Sequence, residues 1–262
     1  MMLENKNAVI YGAGGSIGGA VAKTFAAEGA RVFLTGRTEK TLEAVAEQVR
    51  AAGGRADVAV VDGLDEQAVD EHARTVVEQG GSLDVSLNLV PRGDVQGIPL
   101  VDMSTADLTR AVVNGLTTNF LTARAAARQM VRQGSGVIIA LDSGSVHGSP
   151  MMGSTGPADA ALDTLVRNLA QEVGPQGVRV VGIWTAGLPE TFTREKLAAV
   201  NAEFATNDAM YQGLLDQLDQ ARMTRRSPRL AEVAATAAFL ASDHAAAITG
   251  TFVNVTSGMF QS

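Results

Sequence analysis

The sequence contains no cysteine, and it has no apolar run of the roughly 18 residues that a membrane-spanning helix needs. The first absence excludes a disulfide framework and thiol-based catalysis. The second, together with the lack of a recognisable signal peptide, argues against a membrane protein. We therefore expect a soluble cytoplasmic protein that does not act at a membrane.

Basic residues and aromatic residues are also scarce. Lys and Arg number 21 against 28 Asp and Glu, which gives a formal net charge of −7 and argues against nucleic acid as the main partner. Aromatic residues make up only 4%, so aliphatic side chains must fill the core. No metal site is predicted, and the expected ligand is a small molecule.

What the sequence does contain is an alternation of short apolar runs and Ala-rich helical stretches. Seven runs rich in Val and Ile are predicted to be strands: residues 7–11, 31–35, 56–61, 83–90, 136–141, 178–184 and 251–255. Most are apolar on both faces, as parallel strands covered by helices are. The alternation predicts an α/β fold, a Rossmann-type doubly wound parallel sheet of seven strands with helices on both faces. We expect one domain over residues 1–262, with a lid inserted at about 189–228.

A glycine-rich stretch, GAGGSIGG, follows the first predicted strand and opens the first helix. Glycines at this place let the backbone turn sharply and approach a pyrophosphate, while the helix N-terminus supplies N–H donors and a positive dipole. Its position between a strand and a helix favours a dinucleotide-binding loop over a simple tight turn. The predicted cofactor contacts here are Gly12, Gly15, Ser16, Ile17 and Gly18.

The end of the second predicted strand indicates which dinucleotide binds. Gly36 and Arg37 stand where an acidic side chain would hydrogen-bond the ribose 2′-hydroxyl of NAD. A guanidinium in place of that carboxylate suits a 2′-phosphate, so the prediction is NADP(H). The alternative is that Arg37 is only a solvated surface charge. After the third strand, Asp62 is a candidate to bind the adenine amino group and Gly63 to let the ring lie close, although Asp62 could equally cap the next helix.

The chain resembles the short-chain dehydrogenase/reductase family over nearly its whole length. The resemblance rests on the glycine loop, in which Ser16 replaces the family's middle glycine, and on the segments LVRNLAQEVGPQGVRV and RMTRRSPRLAEVAATAAFLASDHAAAITGTFVNVTSG. It implies an oxidoreductase of small molecules and adds Asn88 and Thr191 to the cofactor-binding positions. It also implies a homo-oligomer, a tetramer or a dimer, in which the helices at 105–133 and 157–173 pair.

The catalytic positions implied by the resemblance carry mostly other residues. The family uses an asparagine, a serine, a tyrosine and a lysine, of which the serine is retained as Ser143. The tyrosine and lysine positions hold Gly156 and Ala160, and the asparagine position on the fourth helix holds Gly115. The resemblance therefore implies an atypical member that lacks the Tyr-x-x-x-Lys pair.

A general acid for carbonyl reduction must then come from elsewhere. Neither Tyr11 nor Tyr211 stands four residues before a lysine, so the pair is not displaced along the chain. His147 has a side chain suited to proton transfer on the loop that borders the substrate pocket, and Asp159 shares the helix of the missing pair. Their plainer interpretations are a solvated loop histidine and a first-turn acid that complements the helix dipole. The candidate catalytic residues are Ser143, His147 and Asp159; Asp142, Arg92 and Tyr211 are further candidates, the last two more simply surface or lid residues.

Three functions remain open on the sequence. The first is an NADP(H)-dependent oxidoreductase acting on a small-molecule carbonyl, imine or alcohol without the usual acid–base pair; an iminium ion, which needs only hydride, would remove the need for tyrosine. The second is an NADP(H)-binding non-redox enzyme, such as a cyclase, dehydratase or isomerase. The third is an inactive homologue that senses NADP(H) or supports a partner. An open pocket at the nicotinamide end favours the first.

Overall fold

The computed structural model describes residues 1–198 and 201–260, and of His147 the backbone alone. Its sheet contains β1 (Asn7–Tyr11), β2 (Arg31–Gly36), β3 (Arg55–Val60), β4 (Val85–Asn88), β5 (Gly136–Asp142), β6 (Val178–Trp184) and β7 (Phe252–Asn254). The seven strands are parallel and lie in the order β3-β2-β1-β4-β5-β6-β7. The predicted doubly wound parallel sheet is confirmed.

Helices cover both faces of the sheet. They are α1 (Ser16–Ala27), α2 (Glu39–Ala51), α3 (Glu66–Gly80), α4 (Thr105–Gln133), α5 (Thr155–Val173), α6 (Arg194–Ala198), α7 (Asp208–Gln220) and α8 (Leu230–Ala241). One buried core packs α1, α2 and α8 against the sheet, and the other packs α3, α4 and α5. Because neighbouring side chains of a strand point to opposite faces, Ile10 joins the first core and Val9 the second. In the part of the chain that the structure describes, no helix is both long and apolar enough to cross a membrane.

The strand order places a switch point between β1 and β4. The chain leaves β1 toward α1 on one face, and it leaves β4 toward α4 on the other face, so the two loops diverge and open a crevice above the sheet edge. β4 ends at Asn88, two residues before the predicted end, because the Asn88 side chain accepts a hydrogen bond from Val90 N at 3.1 Å and turns the backbone out of the sheet.

The predicted lid, residues 189–228, follows β6. It contains a short 3-10 turn at Pro189–Thr191, then α6, a second turn at Ala202–Ala205, and α7; positions 199 and 200 of this segment lie outside the described residues. The buried Arg222 anchors this segment to the turn after β6, where its Nη2 donates to Ala186 O at 2.9 Å. Gly187 has φ +61°, a left-handed conformation that favours glycine, and a Cβ there would push Arg222 Nη2 away from its present position.

Candidate active site

Two adjoining hollows form one cleft along the carboxyl edge of the sheet. The larger, of about 350 Å³, lies over the ends of β1, β4, β5 and β6, and the smaller, of about 190 Å³, over the ends of β1, β2 and β3. They share five bordering residues, which makes them continuous: Gly12, Gly15, Leu89, Val90 and Pro91. All ten residues predicted to bind the cofactor line this cleft. The larger half has Gly12, Gly15, Ser16, Ile17, Gly18, Asn88 and Thr191; the smaller has Arg37, Asp62 and Gly63.

The glycine loop forms a cradle between the two halves. Gly12 has φ +79°, and a Cβ there would lie 2.4 Å from Leu89 O; a Cβ at Gly18 would lie 2.5 Å from Gly12 O. Both positions therefore exclude any other residue. Gly15 differs, because a Cβ there would meet only Gly12 O, at 3.5 Å, and otherwise open space. Gly15 is also the N-cap of α1, and neither a capping side chain nor an acidic residue occupies that first turn. Such a free helix N-terminus fits a pyrophosphate.

The smaller half of the cleft is bordered by one exposed cation. Arg37 makes no ion pair or hydrogen bond with any residue of the described ranges, so its guanidinium is available to a ligand. Asp62 accepts a hydrogen bond from Leu64 N at 3.0 Å. The interpretation of Asp62 as the cap of α3 is wrong, because Asp65 caps that helix by accepting from Ala68 N. Gly63 is buried, and a Cβ there would lie 3.0 Å from the Val90 side chain.

In the larger half, Ser143 and Asp159 lie together although they come from different elements. Ser143 directly follows β5, and Asp159 is the fifth residue of α5. Ser143 Oγ lies 2.5 Å from Asp159 Oδ2, which also accepts from Ser145 N at 2.9 Å and from Ser143 N at 3.3 Å. Asp159 is completely buried. Its interpretation as a first-turn acid that serves the helix dipole is therefore wrong: it organises the loop after β5.

Arg92 supplies the counter-charge of Asp159. Its Nη1 lies 2.7 Å from Asp159 Oδ1, and its Nε lies 3.0 Å from both oxygens of Asp94. Burial alone lowers the pKa of Arg92, but the charges of Asp159 and Asp94 and their hydrogen bonds outweigh it, so the pKa is raised. The interpretation of Arg92 as a surface residue is wrong, since only 15% of its side chain is exposed. Gly115 of α4 makes room for it, because a Cβ there would lie 3.0 Å from Arg92 Cδ.

A second carboxyl group lies behind this network. Asp142, the last residue of β5, is buried and accepts a hydrogen bond from Gly144 N at 2.9 Å. Burial, and then the negative charge of Asp159, raise the pKa of Asp142 to about 9, so it is protonated at neutral pH. Asp163, one turn beyond Asp159 on α5, has its pKa raised mainly by burial, against a hydrogen bond from Trp184 and the charge of Arg167. Within the described residues, Asp142 Oδ2 has no hydrogen-bond partner.

The remaining candidates have no contact with the Ser143 network, or their side chains lie outside the described residues. The side chain of His147 lies outside the described residues, and its backbone belongs to a 3-10 turn, Ser145–His147. Asn88 is buried, where its amide donates to Thr118 Oγ1 at 3.3 Å. Thr191 donates to Leu188 O at 2.7 Å. Tyr211 lies on α7 of the lid, where the Arg194 guanidinium stacks 4.4 Å from its ring centre.

Sequence reasoning missed two parts of this site. The loop after β4 is fastened to the start of α5, because Thr155 Oγ1 donates to Asp94 Oδ1 at 2.9 Å and accepts from Gln96 Nε2 at 3.1 Å. Lys196 of α6 lines the larger half of the cleft, with its Nζ 3.4 Å from Thr191 O. No local pattern marks these residues, since each is a single polar side chain in a loop or at a helix end.

Comparison with known proteins adds independent findings. The family model described as Enoyl-(Acyl carrier protein) reductase matches residues 12–260. An uncharacterised oxidoreductase of Mycobacterium tuberculosis is 33% identical over 259 residues, which cover 98% of this chain and 93% of that protein. The 3-oxoacyl-(acyl-carrier-protein) reductase of Escherichia coli K12 is 31% identical over 266 residues and 99% of each chain. Among solved structures, NAD⁺-bound xylitol dehydrogenase matches with a TM-score of 0.86 and 26% identity, over 98% of this chain and 100% of that one.

Proposed function

The chain belongs to the short-chain dehydrogenase/reductase family of oxidoreductases, and we propose that it is an NADP(H)-preferring member that works without a catalytic tyrosine and lysine. The family binds a nicotinamide cofactor. The finer proposal is that Arg37 selects NADP(H) and that Ser143, Asp159 and Arg92 form the catalytic centre for a small-molecule substrate.

The preference for NADP(H) is proposed from the smaller half of the cleft. Gly36 ends β2 without a carboxylate, and Arg37 follows it as an exposed guanidinium with no partner in the described chain. A 2′-phosphate would give this guanidinium its missing counter-charge, whereas a 2′-hydroxyl would not. Gly15 and the uncapped N-terminus of α1 would hold the pyrophosphate between the two halves.

The proposal of an active site without tyrosine rests on where the tyrosines lie. Tyr11 is buried in β1, and Tyr211 lies in the lid beneath Arg194. At Gly156, a Cβ would lie 3.0 Å from Ser145 O, so the loop after β5 packs directly on the helix backbone there. The same helix instead brings Asp159 to Ser143, and Gly115 makes room for Arg92. We therefore propose that Gly115 and Gly156, which stand at the family's asparagine and tyrosine positions, form one arrangement with Asp159.

The proposed division of labour follows from these contacts. When bound, the nicotinamide supplies or accepts the hydride. Ser143 lines the larger half of the cleft and contacts the heteroatom next to the reacting carbon. Asp159 fixes the direction of the Ser143 hydroxyl, and Arg92 supplies the counter-charge of the buried Asp159. Asp94 and Thr155 hold Arg92 in place, so they act as positioning residues.

The observation that carries the proposal is the Arg92–Asp159–Ser143 chain at the wall of an open cleft of about 350 Å³. A collapsed pocket would have favoured an inactive homologue. An open pocket that Ser143 and the glycine loop both line favours a substrate held beside the cofactor.

Fluorescence titration with NADPH and NADH tests the cofactor assignment. NADPH is expected to bind more tightly, and Arg37→Ala is expected to weaken NADPH binding by about tenfold or more while it leaves NADH binding unchanged, because one charged hydrogen bond to phosphate contributes on the order of 1.5 kcal/mol. Arg74→Ala, which removes an exposed arginine of α3, is the matched control and should change neither affinity. Equal affinities for the two dinucleotides would contradict the assignment.

A further inference from the structure

The hydroxyl hydrogen of Ser143 is already used within the protein. Arg92 faces Asp159 Oδ1, and the backbone N–H groups of Ser143 and Ser145 both donate to Oδ2, so each oxygen of Asp159 faces donors, as suits a carboxylate. An ionised carboxylate has no hydrogen to give, so Ser143 donates across its 2.5 Å contact with Oδ2. Ser145 Oγ lies 2.6 Å from Ser143 Oγ and must be the donor in that pair. What Ser143 presents to the cleft is therefore a lone pair.

Two other hydroxyl groups of the larger half also donate their hydrogen within the protein. Thr185 Oγ1 donates to Val255 O at 3.4 Å, and Thr191 Oγ1 donates to Leu188 O at 2.7 Å. Thr185, Thr191 and Ser143 all line this part of the cleft. Since each hydroxyl has a single hydrogen, these three side chains can offer a ligand only oxygen lone pairs.

The charge near Ser143 agrees with this arrangement. Arg92 is opposed by two carboxylates, Asp94 and Asp159, which leaves the cluster with a net negative charge. The other cation that lines this half within the described chain, Lys196, is exposed on the lid. Accepting hydroxyl groups beside a cluster of net negative charge favour a ligand that is cationic and carries a hydrogen-bond donor, although Arg92 and Lys196 also line this half.

We infer that the substrate of this site is a protonated imine, which is reduced to an amine; the inference rests on the proposed oxidoreductase function. The iminium N–H donates to Ser143 Oγ. A hydride from the reduced dinucleotide adds to the imine carbon, the C=N π electrons become the nitrogen lone pair, and the N–H hydrogen stays in place. The positive charge passes from the iminium ion to the oxidised dinucleotide, so no proton is needed from the protein. A ketone would need a donor at its oxygen, and Ser143 has none to offer.

Turnover of three matched compounds with NADPH tests the inference. They are a protonated five-membered cyclic imine with an N–H group, its N-methyl iminium analogue, and the ketone of the same ring size. The N–H iminium is expected to exceed both others in kcat/KM by about tenfold or more, the factor that corresponds to about 1.4 kcal/mol and hence to one hydrogen bond with a charged partner. A ketone reduced as well as the iminium ion, or an N-methyl analogue that is equally good, would overturn it.

Asp159→Asn tests the role of Asp159 through the ratio of iminium to ketone turnover, which would not change if Asp159 were only structural. An amide at this position releases the Ser143 hydrogen from its carboxylate, so the ratio of iminium to ketone turnover should fall toward one. Ser143→Ala, which leaves the ion pair of Arg92 with Asp159 intact, should abolish the preference too. Asp65→Asn, the same chemical change at the cap of α3, should keep the wild-type ratio.

Binding of NADPH, measured in the same samples, separates the two levels of the proposal. If NADPH does not bind, the proposed function itself fails. If NADPH binds but the iminium ion is not preferred, or none of the three compounds is reduced, the substrate class is wrong and dinucleotide binding stands.

Discussion

Replacing Asp142 with asparagine should make the protein more stable at neutral pH. In the folded protein, burial and the nearby charge of Asp159 raise the pKa of Asp142 to about 9, so the folded state holds a neutral carboxyl group. In the unfolded chain the same group has its ordinary pKa of 3.8 and ionises at pH 7. Unfolding is therefore favoured by deprotonation, and the contribution of Asp142 to stability is lost as the pH rises from about 4 toward 9.

The size of the effect follows from the pH interval. The interval between the unfolded-state pKa of Asp142 and pH 7 is about three pH units. Each unit is worth about 1.4 kcal/mol, so the gain in the free energy of unfolding has an upper bound of about 4 kcal/mol. Because Asp142 shares its surroundings with Asp159 and Asp163, we expect about half of this, roughly 2 kcal/mol. The asparagine side chain would keep an oxygen for Gly144 N, as the carboxyl group does, and would carry no charge.

Urea denaturation between pH 4 and pH 8, at one protein concentration, measures this difference. The free energy of unfolding of Asp142→Asn should exceed that of the wild type at pH 7 and approach it near pH 4. Asp65→Asn is the control, because asparagine caps a helix as well as aspartate does, and it should change stability by only a few tenths of a kcal/mol. A variant that is less stable at pH 7, or a difference that does not vary with pH, would refute the reasoning.

Two further predictions concern α5 and the groove beside it. Gly156→Tyr with Ala160→Lys is expected to leave the rate of ketone reduction close to that of the wild type. The new Cβ at position 156 would lie 3.0 Å from Ser145 O, so the loop after β5 would have to move. A gain of about 10²-fold, the lower end of what a positioned general acid contributes, would show that only the tyrosine and lysine were lacking. The chain is expected to form a homo-oligomer through a groove of about 560 Å³ between α4 and α5, where Phe120 is 44% exposed. Light scattering should give a smaller molecular mass for Phe120→Glu than for the wild type, and an unchanged mass for the control Val60→Glu, which alters an exposed residue of the edge strand β3. A monomeric wild type would contradict this.

The sequence predicts the sheet well, and it indicates which residues border the cleft, because both depend on local patterns. The apolar runs correspond closely to the strands, and the glycine loop is read from the spacing around Gly12 and Gly18. The contacts around Ser143 could not be predicted to the same degree. The pairing of Arg92 with Asp159 joins a loop after β4 to a helix after β5, and it depends on the space that Gly115 leaves on a third element. Only the folded topology brings these three residues together.

The direction of the Ser143 hydroxyl is likewise beyond sequence reasoning. A serine after β5 is equally able to donate or to accept a hydrogen bond, and the choice is made by Asp159 and Ser145. Identifying Asp159 as an acid on the same helix as Gly156 was possible from the sequence. Its complete burial, and its contact with Arg92 on one oxygen and Ser143 on the other, were not.

Hydride transfer by a protein without any tyrosine tests the central claim most directly. The change of both Tyr11 and Tyr211 to phenylalanine removes every tyrosine of the chain, and the rate of NADPH oxidation is then compared with that of the wild type and of Ser143→Ala on the best substrate among matched imines and ketones. The tyrosine-free protein is expected to stay within about twofold of the wild type, while Ser143→Ala loses about tenfold or more. A loss of about 10²-fold or more in the tyrosine-free protein, the effect of removing a general acid, would contradict the claim.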